Sequence, residues 1–169
     1  MEIVHGEQHH KRWLHELGVK RMKKKMDKYY VAYGSNLNVS QMKMRCPDAE
    51  PVGTGFIRGY ELLFKGSKTG AYLTIEKKRG GKVPIAIWKV SESDELALDR
   101  YEGYPTFYYK ANMKIKTDTK EIDAFVYIMH EERELGVPSD YYVETCAEGY
   151  NSFGFDIKFL LNALNKSGK

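Results

Sequence analysis

Two runs of alternating residues constrain this chain more than any other feature. From Phe107 to Lys116, the side chains Phe107, Tyr109, Ala111, Met113 and Ile115 fall on one face. Tyr108, Lys110, Asn112, Lys114 and Lys116 fall on the other, which is the period-two pattern of a strand. The turn Thr117-Asp118-Thr119-Lys120 leads into a second run, Ile122–Met129, with Ile122, Ala124, Val126 and Ile128 on one face. The pair predicts a β-hairpin.

The rest of the chain reads as further strands with a few helices. Tyr29–Tyr33 is aromatic and β-branched, hence a strand. Gly34-Ser35-Asn36 breaks it, and a helix is expected from Leu37 to Cys46, capped by Asn36 or Asn38 and stopped by Pro47. Four short strands are expected next, over Val52–Ile57, Tyr60–Phe64, Tyr72–Ile75 and Val83–Val90. Clusters of glycine separate them (Gly53, Gly55, Gly59, Gly66, Gly70, Gly80, Gly81). Ser91–Tyr101 reads as a helix opened by Ser91 or Ser93, and Ser139–Ala147 and Asp156–Asn165 as two more. Many short strands with a few peripheral helices imply an α+β fold. We expect a small mixed or antiparallel β-barrel, or a strongly curled sheet.

The 27 basic and 23 acidic side chains of this 169-residue protein are unevenly placed. Residues 1–28 carry eight of the basic and four of the acidic ones, leaving nineteen of each sign in the remaining 141 residues. We therefore divide the chain into a basic N-terminal extension over 1–28, unstructured or a short helix, and one domain over 29–169. A neutral domain has no built-in basic surface for a phosphate backbone, so no nucleic-acid partner is expected. His5, His9 and His10 lack the cysteines and regular spacing of a metal motif. No run approaches the ~20 apolar residues of a membrane span. With only two cysteines and no apolar signal core at the amino terminus, we expect a cytosolic protein and no membrane contact.

Two segments suggest chemistry. Tyr33-Gly34-Ser35-Asn36-Leu37 takes a strand into a helix through a small polar loop, whose successive N–H groups suit a carboxylate or a developing oxyanion. Leu98-Asp99-Arg100-Tyr101-Glu102-Gly103-Tyr104-Pro105 puts a glutamate at a helix C-terminus, hemmed by Tyr101 and Tyr104. Both the helix dipole and lost solvation raise such a pKa and suit the group to moving protons near neutral pH. Each segment also has a plainer reading: an ordinary connection capped by Asn36, and a surface glutamate in a turn. Cys46 and Cys146 have no local basic partner apart from Arg45 and read as buried fillers, and His130, beside Glu131 and Glu132, reads as a surface residue at a strand end rather than a base.

Five elements in order resemble the γ-glutamylcyclotransferase family, from Tyr30 to about Asn165: Tyr33-Gly34-Ser35-Asn36-Leu37, Leu73-Thr74-Ile75, Val83–Val90, Leu98-Asp99-x-x-Glu102-Gly103, and Pro138-Ser139-x-x-Tyr142 with Gly149 beyond. The resemblance implies an enzyme that converts a γ-glutamyl amine or amino acid to 5-oxoproline and a free amine, needing no metal or cofactor. It places the substrate's α-carboxylate on the loop Tyr33–Leu37, with Gly34, Ser35 and Asn36 giving the amides, and makes Glu102 the general acid and base. Tyr142 becomes the orienting hydrogen-bond partner of Glu102, Tyr108 a second candidate, and Tyr33 the pocket floor. The expected partner is thus a small γ-glutamyl substrate, and a homodimer is compatible. The competing readings are a relative acting on γ-glutamyl-lysine or on a γ-glutamyl-protected biosynthetic intermediate, and a binding or regulatory module without catalysis.

Overall fold

A computed structural model describes residues 26–67 and 70–168. Except for residues 26–28, the basic extension lies outside the described residues, as do His5, His9 and His10. Strand β1 (Lys28–Ala32) leads through a short 3₁₀ turn (Ser35–Leu37) into helix α1 (Val39–Arg45). Strands β2 (Glu50–Ser67) and β3 (Gly70–Val90) follow, then helix α2 (Glu92–Glu102), strands β4 (Tyr108–Lys116) and β5 (Glu121–Met129), and the two-residue β6 (Glu134–Leu135). Helices α3 (Asp140–Phe153) and α4 (Lys158–Ser167) complete the described chain. No helix among the described residues is long and apolar enough to cross a membrane.

The six strands form one sheet in the order β4-β5-β1-β3-β2-β6. Among the described residues only the β1–β5 pairing is parallel, Tyr30 opposite Phe125 and Val31 opposite Val126; β1–β3, β2–β3, β2–β6 and β4–β5 are antiparallel. The sheet curls until β2 returns towards β4 at the far edge. A Cβ on Gly55 would stand 3.1 Å from the Lys116 carbonyl oxygen. The architecture is the expected α+β fold, a strongly curled half-barrel with four helices packed around it.

The hairpin predicted from alternation is β4–β5, with Lys116 opposite Glu121 and Tyr108 opposite Met129. In the other hairpin, Gly66 and Gly70 flank the boundary between β2 and β3 as expected, but the other glycines do not divide these into four short strands: β2 is 18 residues long and β3 is 21. A straight 18-residue strand would reach about 60 Å, too long for a domain with a radius of gyration of about 14 Å. The ribbon bends instead. Its register shifts between Pro51 and Gly53 and between Arg58 and Tyr60, with Gly59 and Gly80 at φ 79° and 75°. At Gly81 a Cβ would lie 2.3 Å from the Tyr60 carbonyl oxygen. These glycines let one ladder turn a corner without breaking its pairing.

The helix boundaries follow from their caps. Asn38, rather than Asn36, caps α1 by accepting from the Gln41 N–H at 3.2 Å, so α1 starts two residues later than predicted and leaves the Asn36 side chain for other work. Ser91 and Asp94 form a capping box on α2, and Gly103, in the left-handed conformation, ends it. Ser139 caps α3, which continues past the expected Ala147 to Phe153 because Gly149 fits against the 3₁₀ turn. Beneath these elements Val31, Ala32, Ile85, Ile87, Val126 and Leu98 are fully buried. Each such aliphatic side chain contributes about 1.5–3 kcal/mol where it is larger than alanine.

Gly149 sets a clear test. On a free helix, glycine to alanine gains about 1 kcal/mol. Here a Cβ would sit 2.6 Å from the Leu37 carbonyl carbon and Cβ and 2.8 Å from the Asn38 nitrogen. Gly149→Ala is therefore expected to lose about 1–3 kcal/mol through overpacking, read as a lower midpoint in urea unfolding. An unchanged or raised midpoint would show that α3 is not seated on the turn.

Candidate active site

Glu102 is the last residue of α2, and its position is set by how that helix is anchored. Leu98 is buried beneath it. On its outer side the Lys110 ammonium from β4 lies 2.8 Å from both Glu95 and Asp99, one turn apart. Asp99 also accepts a 2.5 Å hydrogen bond from the Tyr127 hydroxyl of β5. The helix is thus tied to two strands, and its final turn points over the end of β1. There the 3₁₀ turn begins, and Gly34 passes under Tyr142 and Leu73. A Cβ on Gly34 would come within 3.3 Å of the Tyr142 hydroxyl and 3.4 Å of Leu73 Cβ.

Between these elements lies a cavity of about 410 Å³. Four walls meet around it: Tyr33–Asn36 below, Arg100–Gly103 on one side, Tyr72 and Leu73 of β3 opposite, and Tyr108, Tyr127 and Tyr142 closing the back. Asn36 joins the loop to the helix. Its Nδ2 donates to Glu102 Oε1 at 3.1 Å and to the Tyr30 hydroxyl at 2.9 Å. Its Oδ1 accepts from Arg45 Nη1 at the end of α1. The Arg45 guanidinium also covers the Tyr101 ring, 3.4 Å from the centroid, and the Tyr101 hydroxyl pairs with Ser35 Oγ at 3.0 Å.

These surroundings govern the proton affinity of the glutamate. Burial pushes the Glu102 pKa up to about 7, against the opposing pull of the Arg45 charge and the Asn36 hydrogen bond. Burial likewise raises the phenols of Tyr30, Tyr33, Tyr108 and Tyr142 well above their ordinary value. Those four tyrosines stay protonated at neutral pH, while Glu102 sits where it can gain or lose a proton readily.

The expected site segments do meet here. Tyr33, Gly34, Ser35, Asn36, Glu102, Tyr108 and Tyr142 all line the cavity. The sequence reading is corrected at three points. Leu37 is fully buried under the loop, against Gly149 of α3, and is absent from the cavity wall. Tyr142 does not bond Glu102: its hydroxyl accepts from the Leu73 N–H at 3.1 Å, while the Tyr108 hydroxyl donates to the Leu73 carbonyl at 2.8 Å. The two tyrosines clamp the backbone of one β3 residue, Leu73, and the partner of Glu102 is Asn36. Tyr104 lies outside the cavity, its ring against Tyr127 and its face 4.6 Å from the Lys110 ammonium.

Tyr30, Arg45 and Tyr127 had no signal in the sequence. Strand parity puts Tyr30 and Tyr33 on opposite faces; both line the cavity because β1 ends at Ala32. Tyr33 forms the floor, its hydroxyl donating to the Tyr127 carbonyl at 2.6 Å. Cys46 and Cys146 are buried, which pushes their thiols up to about 11 and about 12. The His130 ring nitrogen Nε2 lies 2.8 Å from the Pro105 carbonyl oxygen, away from the cavity. No group of three or more His, Cys, Asp or Glu among the described residues is placed to hold a metal ion.

Residues 30–144 match the sequence pattern of the family described as gamma-glutamyl cyclotransferase, AIG2-like. The chain belongs to this family. A human gamma-glutamylcyclotransferase is 30% identical over 139 residues, covering 77% of this chain and 73% of the relative. A bovine (Bos taurus) gamma-glutamylcyclotransferase is 28% identical over the same length, with the same shares covered. Among solved structures, one named gamma-glutamyl cyclotransferase superposes with a TM-score of 0.73 at 26% identity, covering 82% of this chain and 86% of that one. In this member of the cyclotransferase family, the matched span contains the loop, Glu102, Tyr108 and Tyr142.

The burial of Glu102 predicts a pH dependence of stability. Its folded pKa, about 7, lies above the ordinary value near 4.3. The fold therefore bears no ionisation cost below that lower value, an increasing one as pH rises between the two, and a constant one above. Glu102→Gln removes the cost. At pH 8 the variant is expected to exceed the wild type by about 1–3 kcal/mol after discounting for solvent screening, with the gap closing towards pH 4.5. Urea unfolding across that range checks it; a gap independent of pH would contradict the raised pKa.

Proposed function

We propose that this chain is a cyclotransferase that converts a γ-glutamyl amino acid or amine to 5-oxoproline and the free amine, with Glu102 as general acid and base. One observation carries the reading: a carboxyl whose pKa is raised to about 7, held at 3.1 Å by Asn36 and facing the same cavity as the Gly34–Asn36 loop. A volume of about 410 Å³ suits a dipeptide-sized ligand.

The chemistry follows from the placement of these groups. The first N–H groups of a helical turn have no partner within it, so the loop suits the glutamyl α-carboxylate at Gly34, Ser35 and Asn36. That anchor folds the substrate back on itself, bringing its α-nitrogen to its own γ-carbonyl. Such preorganisation removes several kcal/mol from the barrier. An ammonium has no lone pair, so ionised Glu102 first accepts its proton. The nitrogen then bonds to the γ-carbon, and loop N–H groups take up the charge on the carbonyl oxygen. As the old C–N bond breaks, Glu102 returns its proton to the leaving nitrogen. The enzyme supplies no nucleophile because the substrate carries its own. In this scheme the protonated tyrosines shape the cavity and exclude water.

A binding module without catalysis would need the loop and cavity but would gain nothing from a carboxyl poised near neutrality, which supports the enzymatic reading. Cleavage of γ-glutamyl-lysine, or of a γ-glutamyl-protected intermediate, would use the same groups with a different leaving amine.

Purified protein incubated with a panel of γ-glutamyl amino acids, amines and γ-glutamyl-lysine is expected to release 5-oxoproline from a subset, identifying the leaving group. Glu102→Gln should lower kcat/KM by about 10²–10⁴-fold. The wild-type kcat/KM should fall as pH drops through about 7, because protonated Glu102 cannot accept the ammonium proton. A profile flat down to pH 4, or full turnover in Glu102→Gln, would remove Glu102 from the mechanism.

A further inference from the structure

Arg45 touches neither the cavity nor the loop amides, yet its contacts are arranged around the residue that holds Glu102. Its Nη1 donates to Asn36 Oδ1, and its Nη2 reaches Gln41 Oε1, one turn back on α1, at 3.4 Å. Its flat face rests on Tyr101 at 3.4 Å from the ring centroid. The guanidinium is thus propped from its own helix and from α2 at once.

An asparagine side chain is nearly symmetric in shape and asymmetric in chemistry: one end donates and the other accepts. Turned over, the Asn36 amide would aim its oxygen at the Glu102 carboxylate and its NH₂ at a guanidinium, which has only donors. Both contacts would repel. With Arg45 present, Oδ1 faces the guanidinium and Nδ2 must face Glu102 and Tyr30. One carboxylate oxygen, Oε1, is thereby engaged; Oε2 has no hydrogen-bond partner among the described residues, and is the oxygen available to an incoming ammonium.

We propose that Arg45 is a positioning residue. Through Asn36 it fixes the orientation of the Glu102 carboxylate, and by its charge it keeps that group within reach of neutral pH. The inference rests on Glu102 acting as the proton shuttle. The groups facing Glu102 are the phenols of Tyr30 and Tyr33 from β1 and its continuation, Tyr108 from β4, Tyr127 from β5, Tyr142 from α3, and the neighbouring Tyr101. Arg100 stands on the same turn, exposed. Arg45 is the cation whose charge offsets the burial of Glu102.

The test is a direct titration of Glu102 by carbon NMR of labelled glutamate carboxyls, with Glu102→Gln to assign the signal. In the wild type the signal is expected to titrate near 7. In Arg45→Met it should move up by about one unit, a tenfold change in proton affinity, with the acid limb of kcat/KM moving in parallel. Arg45→Lys, which restores the charge, should bring it most of the way back. If Arg45→Met does not fold, Arg45→Gln carries the same expectation. An unchanged titration in a folded, charge-removed variant overturns the role of Arg45, even if activity falls, and leaves Glu102 standing as the base. A wild-type signal at the ordinary glutamate value overturns the shuttle and this inference together.

Discussion

A carboxyl group at the C-terminal end of a helix, turned into a wall of phenols, is held against its own preference for water. Every neighbouring feature bears on that one placement. Burial opposes the charge of Glu102, while Arg45 and Asn36 support it. The balance leaves its pKa raised to about 7. In the proposed reaction, deeper burial without Arg45 would make the acid hold its proton too tightly to give it up, and an open site would let it ionise fully and return a proton poorly.

Holding that balance requires rigidity, and the rigidity comes from the sheet. The cavity gathers residues from β1, β3, β4, β5, α2 and α3, which a flat sheet would leave spread apart. Curling brings them together, and the bends in the β2–β3 ribbon at Gly59 and Gly80 let two long strands follow the curve with their pairing intact. Tyr108 and Tyr142 grip the backbone of the same β3 residue, one at the Leu73 carbonyl and the other at its N–H. Lys110 fixes α2 to β4 from outside through Glu95 and Asp99. The wall facing the loop and the helix carrying the acid are thus each anchored by polar contacts that reach across the fold.

The hairpin shows how a correct pattern can hide its own meaning. Alternation along β4 identified the strand, and its more polar face was the one with Tyr108 and Lys110. Its first two members turn to the site and α2, with Tyr108 almost wholly buried and Lys110 half-buried, while Asn112, Lys114 and Lys116 further along the same face are exposed. The same polar face thus meets the cavity at one end and water at the other, a division the alternation alone does not show.

Local chemistry within the sequence determined the strand of the first site segment, the β4–β5 hairpin, the caps at Ser91 and Ser139, and the break at Gly34-Ser35-Asn36, since each depends on residues a few positions apart. The motif residues Gly34, Ser35, Asn36 and Glu102 were legible for the same reason. Only the tertiary structure decided that Asn36, and not Tyr142, holds Glu102, that Leu37 belongs to the core, and that Tyr30, Tyr127 and Arg45 belong to the site. It also decided that Gly53, Gly55, Gly59, Gly80 and Gly81 bend or fit two long strands instead of dividing them into four short ones. Those outcomes depend on which surfaces meet when the sheet curls, and contacts between segments some 66 residues apart leave no periodicity in the chain to read.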